Sequence, residues 1–172
     1  MGREVRMVPK DWQHPKNEKG KFIPLLSGDF EQDDKEWNEG YAHWLLGEVK
    51  DYATNGWSPV DDNHRWTRFT DYHGSRPSPE DYMPRFADGM ATHLMMYEDT
   101  SEGTPISPAF ATPEELARWL ADSGASSFAG YTATYEQWLA TCKRGYAMSA
   151  VFTLQTGLIS GVEFEGNQQT EK

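Results

Sequence analysis

Residues 97–163 carry the strongest structural signals of the chain, in the sequence YEDTSEGTPISPAFATPEELARWLADSGASSFAGYTATYEQWLATCKRGYAMSAVFTLQTGLISGVE. They predict a loop, two short helices and a β-hairpin that follow one another directly. Thr112 is a suitable N-cap for the first helix, and Glu115 completes the spacing of a capping box, in which side chains and amides of the first turn bond reciprocally. Thr134 and Gln137 repeat this spacing at the start of the second helix.

Each of these helices has a tryptophan on its apolar face, Trp119 in the first and Trp138 in the second. Two short helices joined by a loop of about ten residues lie side by side when they share a buried seam. We therefore expect both indoles to be mostly buried, against each other or against the hairpin. The hairpin residues expected at this seam are Val151, Phe152 and Ile159.

Alternating patterns predict the strands. Residues 147–154 and 158–164 alternate on either side of residues 155–157, where a glycine supplies the positive φ of a hairpin turn. Residues 92–98 predict a further strand, and residues 5–8 predict a short edge strand before a proline.

The remaining segments are less regular. Aromatic and aliphatic side chains recur at helical spacing over residues 33–49, which predicts an amphipathic helix that ends before the turn signal at residues 55–56. Residues 10–28 contain turn residues throughout and predict an ordered, irregular arm. Residues 56–91 show no sustained period, and the polar residues 166–172 predict a frayed tail.

Together these elements predict an α+β fold, in which about three helices pack on a small antiparallel sheet and long ordered loops cross its edges. The sheet is expected to combine the C-terminal hairpin with the strands at residues 92–98 and 5–8. We expect one domain over residues 1–172, with an irregular N-terminal arm at residues 1–28. Residues 92–165 are expected to form a compact helix–helix–hairpin unit.

The composition argues against two classes of protein. Aromatic residues make up 13% of the chain, which is more than a disordered protein contains. No apolar run approaches the roughly 20 residues of a membrane-spanning helix, and no apolar signal segment is visible near the N-terminus. Cys142 is the single cysteine, and it lies in a helical pattern, so we expect a buried structural thiol in a cytoplasmic protein.

The net charge of −11 is concentrated in one part of the chain, because residues 29–62 contain ten Asp/Glu and two Lys/Arg. An acidic chain repels phosphates, so we expect no direct nucleic-acid binding and a partner protein with a basic surface. Carboxylates spaced along a helix can imitate the phosphates of a duplex, or they can simply be the solvated face of a soluble protein. The residues of this predicted acidic face are Asp29, Glu31, Asp33, Asp34, Glu36 and Glu39.

A second candidate site combines aromatic and arginine side chains, which are enriched at interfaces and in base-stacking pockets. Alternatively, these rings fill the core of a protein with few aliphatic residues. The residues of this possible ligand site are Trp57, Arg65, Trp66, Arg68, Tyr72 and Arg76.

The sequence contains no motif that indicates catalysis, a cofactor or phosphate binding. Five histidines are scattered at positions 14, 43, 64, 73 and 93, and no two have the i, i+4 spacing of a helical zinc site. A cluster of Asp61, Asp62, His64, Asp71 and His73 forms only if the loops converge, and we expect the histidines to lie at the surface instead. The sequence therefore favours a non-enzymatic protein without a metal.

Two blocks of the chain, residues 97–163 quoted above and residues 3–26 (REVRMVPKDWQHPKNEKGKFIPLL), resemble a family of small accessory proteins of tailed phages and prophages. That family has no established activity. The resemblance implies a protein that is made in an infected or lysogenic bacterial cell and acts on host machinery.

Three functions are compatible with these observations. The first is a non-enzymatic inhibitor that binds a host defence or nucleic-acid-handling protein through the acidic face. The alternative is a binder, or sponge, of a small molecule or signalling nucleotide that uses the arginine and aromatic residues of residues 57–86. The third is a component of phage assembly.

Overall fold

The computed structural model describes residues 2–99, 103–154 and 157–170, so part of the expected hairpin turn and the end of the expected frayed tail lie outside the described residues. The chain has the predicted α+β fold. Its elements in chain order are β1 (Arg3–Val8), α1 (Phe30–Leu45), β2 (Glu48–Asp51), β3 (Gly56–Pro59), α2 (Phe69–His73), a 3-10 turn (Pro79–Asp81), β4 (His93–Glu98), β5 (Thr104–Pro105), α3 (Pro113–Asp122), α4 (Tyr135–Arg144), β6 (Tyr146–Ala147), β7 (Ala150–Thr153), β8 (Gly157–Ser160) and α5 (Gly161–Thr170).

The chain divides into two compact units. Unit 1 comprises Met1–Leu26 and Pro84–Lys172, and unit 2 comprises Ser27–Met83. The expectation of a single domain stays a prediction. No helix of the described residues is long and apolar enough to cross a membrane.

Unit 1 is built on a four-stranded antiparallel sheet with the order β5-β4-β1-β6. The strand predicted at residues 5–8 is present and begins earlier, at Arg3. Its expected position at the sheet edge is correct for residues 6–8, which pair with β4 only, whereas the start of β1 lies inside the sheet. It pairs with β4 on one side, with Val5 opposite Met96, and with β6 on the other side, with Arg3 opposite Ala147. The reason is that the chain returns to the sheet immediately after α4, at Tyr146.

The two predicted helices of unit 1 are α3 and α4. The capping box of α4 forms as expected, because the Thr134 hydroxyl accepts from the Gln137 amide and the Gln137 side chain accepts from the Thr134 amide. At α3 the expected box forms only in part. Thr112 accepts from the Glu115 amide, but the Glu115 carboxylate accepts from the amide of Ala111 instead of from that of Thr112.

The core of unit 1 lies between α3, α4, α5 and the sheet. Its buried residues are Met96, Leu116, Ala117, Leu120, Trp138, Cys142, Ala147 and Val162. The thiol is buried, as predicted. Burial, together with the negative charge of Glu114, raises the pKa of Cys142 to about 12, which keeps the thiol protonated and unreactive.

Both predicted tryptophans are mostly buried, as expected. Trp138 is fully buried, whereas Trp119 is partly buried, packs against the core and lies near the Phe110 ring with the centroids 6.1 Å apart. The expected contribution of the hairpin is wrong, because β7 and β8 form a separate two-stranded sheet and Phe152 is 70% exposed. The chain turns into α5 after Ser160, where a strand and a frayed tail were expected, and Val162 of that helix enters the core.

The irregular arm of unit 1 is present. Of its apolar residues, Leu25 is buried and Trp12 is partly buried, whereas Phe22, Ile23 and Leu26 are each about two-fifths exposed. His14, which was expected at the surface, is buried and lies 2.6 Å through Nε2 from the Ile23 carbonyl and 3.3 Å through Nδ1 from the Tyr97 hydroxyl. Because a carbonyl only accepts, Nε2 carries the proton and Nδ1 accepts from Tyr97.

Unit 2 begins with α1, which starts earlier and ends earlier than predicted. The Asp29 side chain accepts from the amides of Glu31 and Gln32 and so caps the helix three residues before the expected start. Gly47 adopts a positive φ of 78° after the helix, and the chain then enters β2. The β2–β3 hairpin and α2 were not predicted.

We expect Trp138→Ala to lower the free energy of unfolding by about 3–5 kcal/mol, because it leaves a large cavity in the core of unit 1. Trp119→Ala is the matched control, and its cost is expected to be smaller because that indole is only partly buried. Urea denaturation of the two variants measures both costs. An equal or larger cost for Trp119→Ala would contradict the assignment of the core to Trp138.

We also expect stability to fall with decreasing pH through His14. Burial, assisted by the positive charge of Arg6 and opposed by the bond to Ile23, lowers the pKa of His14 from its usual 6.5. The unfolded chain then binds a proton that the folded chain does not, so this stabilisation is complete above pH 6.5 and declines as the pH falls from 6.5 to the lowered value. The denaturation midpoint should therefore fall between pH 7 and 5 in the wild type and in the control His93→Gln. In His14→Gln the part of this fall that comes from His14 should be absent. An identical pH dependence in His14→Gln and wild type would refute the role of His14.

Candidate functional site

Unit 2 contains a cleft of about 650 Å³ between α1, the β2–β3 hairpin, α2 and the segment that follows α2. Its lining includes charged and aromatic side chains from all four of these parts. The cleft also brings together members of both sets of site residues that the sequence predicts. We therefore take it as the candidate site.

The acidic wall of the cleft comes mainly from one face of α1. Asp33, Glu36 and Glu39 are spaced three residues apart, so their side chains share a face of the helix. Glu48 of β2 adds a fourth carboxylate. Lys35 and the lysine of β2, Lys50, also line the cleft, so carboxylates outnumber ammonium groups by four to two there.

Aromatic side chains form another large part of the wall, and they are Trp37, Tyr52, Trp57, Phe69, Tyr72 and Tyr82. Phe69 of α2 lies against α1 at Gly40, where a Cβ atom would stand 3.1 Å from its ring. The glycine therefore lets the phenylalanine approach the helix backbone. The Trp37 indole donates to the Gly74 carbonyl at 3.1 Å and thereby fastens the segment after α2 to α1.

Trp57 is held between two side chains. The His43 ring is stacked on the indole, with 3.5 Å between centroids and 5° between planes, and so covers one of its faces. The Lys50 Nζ atom lies 5.0 Å from the indole centroid. Since His43 fills the space over the first face, the ammonium lies over the other one.

The carboxylates of the cleft are fixed to different degrees. Asp33 accepts a hydrogen bond of 2.8 Å from the Tyr82 hydroxyl, and burial together with this carboxylate raises the pKa of Tyr82 to about 12. Glu36 accepts from the Gln32 side chain on the same helix. Glu39 makes no hydrogen bond or ion pair with any residue that the structure describes.

The predicted acidic face is therefore divided by the fold. Its members Asp33, Glu36 and Glu39 line the cleft, whereas Asp29, Glu31 and Asp34 are not among the lining residues. Asp29 is the N-cap of α1. Asp34 accepts two bonds from Arg76, at 2.6 and 3.0 Å, and this interaction lowers the pKa of the Asp34 carboxyl.

The predicted arginine and aromatic set is brought together only in part. Trp57 and Tyr72 line the cleft. The arginines do not, because Arg76 is bound to Asp34 and Arg68 is bound to Asp71 through two contacts of 2.8 and 3.1 Å.

The two other members of this set lie elsewhere on unit 2. Trp66 is 91% exposed. Arg65 lines a smaller cavity of about 370 Å³ and lies 4.0 Å from Asp62. The predicted ligand site therefore stays a prediction for Trp57 and Tyr72, which share the cleft. Its three arginines do not line this cleft.

Sequence reasoning missed Glu48 and Lys50 as cleft residues, and it missed the stacked pair of His43 and Trp57. The Asn55-Gly56 dipeptide is a strong hairpin turn signal as well as a helix stop, so it could have indicated the hairpin. It does not give the register, because a two-residue turn at Asn55-Gly56 would pair Thr54 with Trp57. In the structure residues 52–55 form the turn, and Lys50 therefore lies directly opposite Trp57.

One contact beside the cleft has a geometry that occurs in proton-transfer sites. The Glu48 carboxylate lies 2.7 Å from His43 Nδ1, an arrangement that orients an imidazole for proton transfer. However, His43 has no bond to a hydroxyl or thiol among the described residues. Within that part of the chain, no group of three or more His, Cys, Asp and Glu side chains is arranged to hold a metal ion.

Unit 1 also has a broad groove, of about 1020 Å³, whose lining includes Trp119 and Tyr135. We do not assign the candidate site to it. None of the site residues predicted from the sequence lines this groove, and its Glu114 is paired with Lys143 at 3.0 Å. Its Arg118 is likewise engaged, 3.8 Å above the Tyr135 ring.

Comparison of the chain with protein-family models, with curated proteins and with solved structures gives no match.

Proposed function

We propose that this chain is a non-enzymatic binding protein whose cleft in unit 2 receives cationic side chains of a partner protein. The observation that carries the proposal is the composition of the cleft, in which four carboxylates and the rings of six Phe, Tyr and Trp residues surround a space of about 650 Å³. Carboxylates attract ammonium and guanidinium groups, and aromatic faces bind the same groups through their quadrupoles.

The charge of unit 2 supports a basic partner. Residues 27–83 contain 13 Asp/Glu and five Lys/Arg, a net charge of −8 out of the −11 of the whole chain. Such a field accelerates the approach of a positively charged surface and repels nucleic acid. A partner's basic site, which normally binds the phosphates of a nucleic acid, would bind the carboxylates of the cleft instead.

The resemblance to phage and prophage accessory proteins gives this proposal a biological setting. In that setting the partner is a host defence or nucleic-acid-handling protein with a basic surface, and the chain acts in the cytoplasm of an infected or lysogenic bacterial cell. Binding in the cleft would block the partner's basic site and thereby inhibit it.

The contacts in unit 2 favour this function over a nucleotide sponge. A bound nucleotide would bring its phosphates towards Asp33, Glu36, Glu39 and Glu48, and like charges repel at such distances. The arginines that would compensate for this repulsion, Arg68 and Arg76, are held by Asp71 and Asp34. No contact in unit 2 specifically favours a role in phage assembly.

The proposal predicts that Glu36→Gln/Glu39→Gln weakens the binding of a basic peptide. The double substitution removes two charges from the cleft and keeps the shape of both side chains. We expect a loss of about tenfold in affinity for a fluorescent octa-arginine peptide, which corresponds to about 1.4 kcal/mol, and a smaller dependence of the affinity on salt. Fluorescence anisotropy titrations at two or more salt concentrations measure both effects.

The matched control is Asp62→Asn/Asp81→Asn, which removes two exposed charges of unit 2 outside the lining of the cleft. If the control weakens binding as much as the cleft variant does, the effect comes from net charge and the cleft is not the site. Binding that neither pair of substitutions changes would also overturn the proposal.

The cellular part of the proposal has its own test. A tagged wild-type chain and the Glu36→Gln/Glu39→Gln variant are purified from infected cells, and the proteins retained by each are compared. The expected target is retained by the wild type and lost by the variant, and it releases bound nucleic acid when the wild-type chain is added. A retained protein that binds its nucleic acid undisturbed would count against inhibition.

A further inference from the structure

The cleft of unit 2 already contains a cation from its own chain. The Lys50 ammonium lies 5.0 Å from the centroid of the Trp57 indole, over the face that His43 leaves uncovered. Four carboxylates line the same cleft, yet Lys50 forms no ion pair with any residue that the structure describes. Its position is therefore set by the ring and the hairpin, not by a carboxylate partner.

We infer that the uncovered face of Trp57 is the cation subsite of the cleft, that Lys50 is its built-in occupant, and that an arginine side chain of the partner displaces Lys50 on binding. This inference rests on the proposed function, since it names the chemical group that the cleft selects and the residue that competes with it.

The indole is preorganised for this role. His43 stacks on its far face at 3.5 Å, and the Glu48 carboxylate in turn holds His43 through a contact of 2.7 Å. Trp57 thus keeps its orientation whether or not Lys50 is over it. A ring fixed in this way loses little conformational entropy when a ligand binds to it.

Lys50 is well placed to occupy the subsite and weakly held in it. It lies directly opposite Trp57 in the register of β2 and β3, so its ammonium reaches the ring without any change of the backbone. A lysine side chain has a flexible stem of about four methylene groups, so its ammonium can leave the ring easily. A cation–π contact at an exposed site contributes only about 0.5–1 kcal/mol. An incoming cation therefore competes with a tethered, weakly bound one.

This competition selects the kind of cation. An ammonium ligand would only replace one ammonium by another and gains little over Lys50. A guanidinium stacks flat on an indole and can bond at the same time to a carboxylate such as Glu36 or Glu39. The subsite should therefore prefer arginine to lysine.

The test removes each lysine of the cleft in turn. Lys50→Ala removes the competitor and one positive charge, whereas Lys35→Ala removes one positive charge from the same cleft without any contact to Trp57. We expect Lys50→Ala to bind octa-arginine about two- to fivefold more tightly than Lys35→Ala does, as a contact at an exposed ring implies. The wild type should also bind octa-arginine more tightly than octa-lysine.

A third variant decides whether the ring is involved. In Trp57→Leu/Lys50→Ala the extra gain should disappear, and affinity should match that of Trp57→Leu/Lys35→Ala. Should the leucine variants fail to fold in denaturation tests, the indole N–H signal of Trp57 gives the same decision by NMR. That signal should then shift at lower octa-arginine concentration in Lys50→Ala than in Lys35→Ala.

The outcomes separate this inference from the proposed function. If the wild type binds octa-arginine and Lys50→Ala equals Lys35→Ala, the cleft binds cations but Lys50 is not a competitor. If Lys50→Ala still binds octa-arginine more tightly than Lys35→Ala when Trp57 is replaced by leucine, the gain does not depend on the indole, and the inference is wrong. If no variant binds the peptide and the wild type does not bind it either, the proposed function itself fails.

Discussion

The packing of Phe69 against α1 is the interaction on which the architecture of unit 2 depends. α1 has no fully buried residue of its own, so this helix is held by partial contacts with α2 and the hairpin. The Phe69 ring is 5% exposed, and its centroid lies 5.1 Å from that of Trp37 and 5.7 Å from that of Trp44. Gly40 makes this approach possible, since any side chain there would press on the ring. Once α2 is fixed to α1, the hairpin and α1 enclose the cleft.

In unit 1 the main constraint is the burial of two charged side chains, because two arginines of β1 are buried. Arg6 lies 4.4 Å above the Tyr97 ring and donates to Glu4, and it also donates to the Leu25 carbonyl in the irregular arm. A buried charge is tolerated when it is paired and hydrogen-bonded in this way. Gly103 completes the arrangement, since a Cβ atom there would stand 1.9 Å from the Leu25 carbonyl oxygen. Polar contacts therefore hold the arm to the sheet, together with the burial of Leu25.

These features explain how much could be predicted from the sequence. α3 and α4 were predicted because capping residues and glycines act within one turn of the chain. The start of β1 lies inside the sheet because it pairs with β6, about 140 positions away, and no local pattern signals such a pairing. α5 was missed because residues 161–170 have no clear amphipathic pattern, so tertiary contacts with α4 override a strand-like start. In the candidate site, helical spacing alone groups Asp33, Glu36 and Glu39, but Glu48 and Lys50 join them only through the hairpin.

The distribution of ion pairs explains why the charge of unit 2 has a local effect. Its arginines are bound to carboxylates outside the cleft, Arg76 to Asp34 and Arg68 to Asp71. Within the described residues, no lysine or arginine is paired with Asp33, Glu36, Glu39 or Glu48, the four carboxylates that line the cleft. The fold thus neutralises part of the acidic surface and leaves its uncompensated charge beside the aromatic rings. Carboxylates left unpaired in this way are available to a cationic group, and the adjacent rings add faces to which such a group can bind.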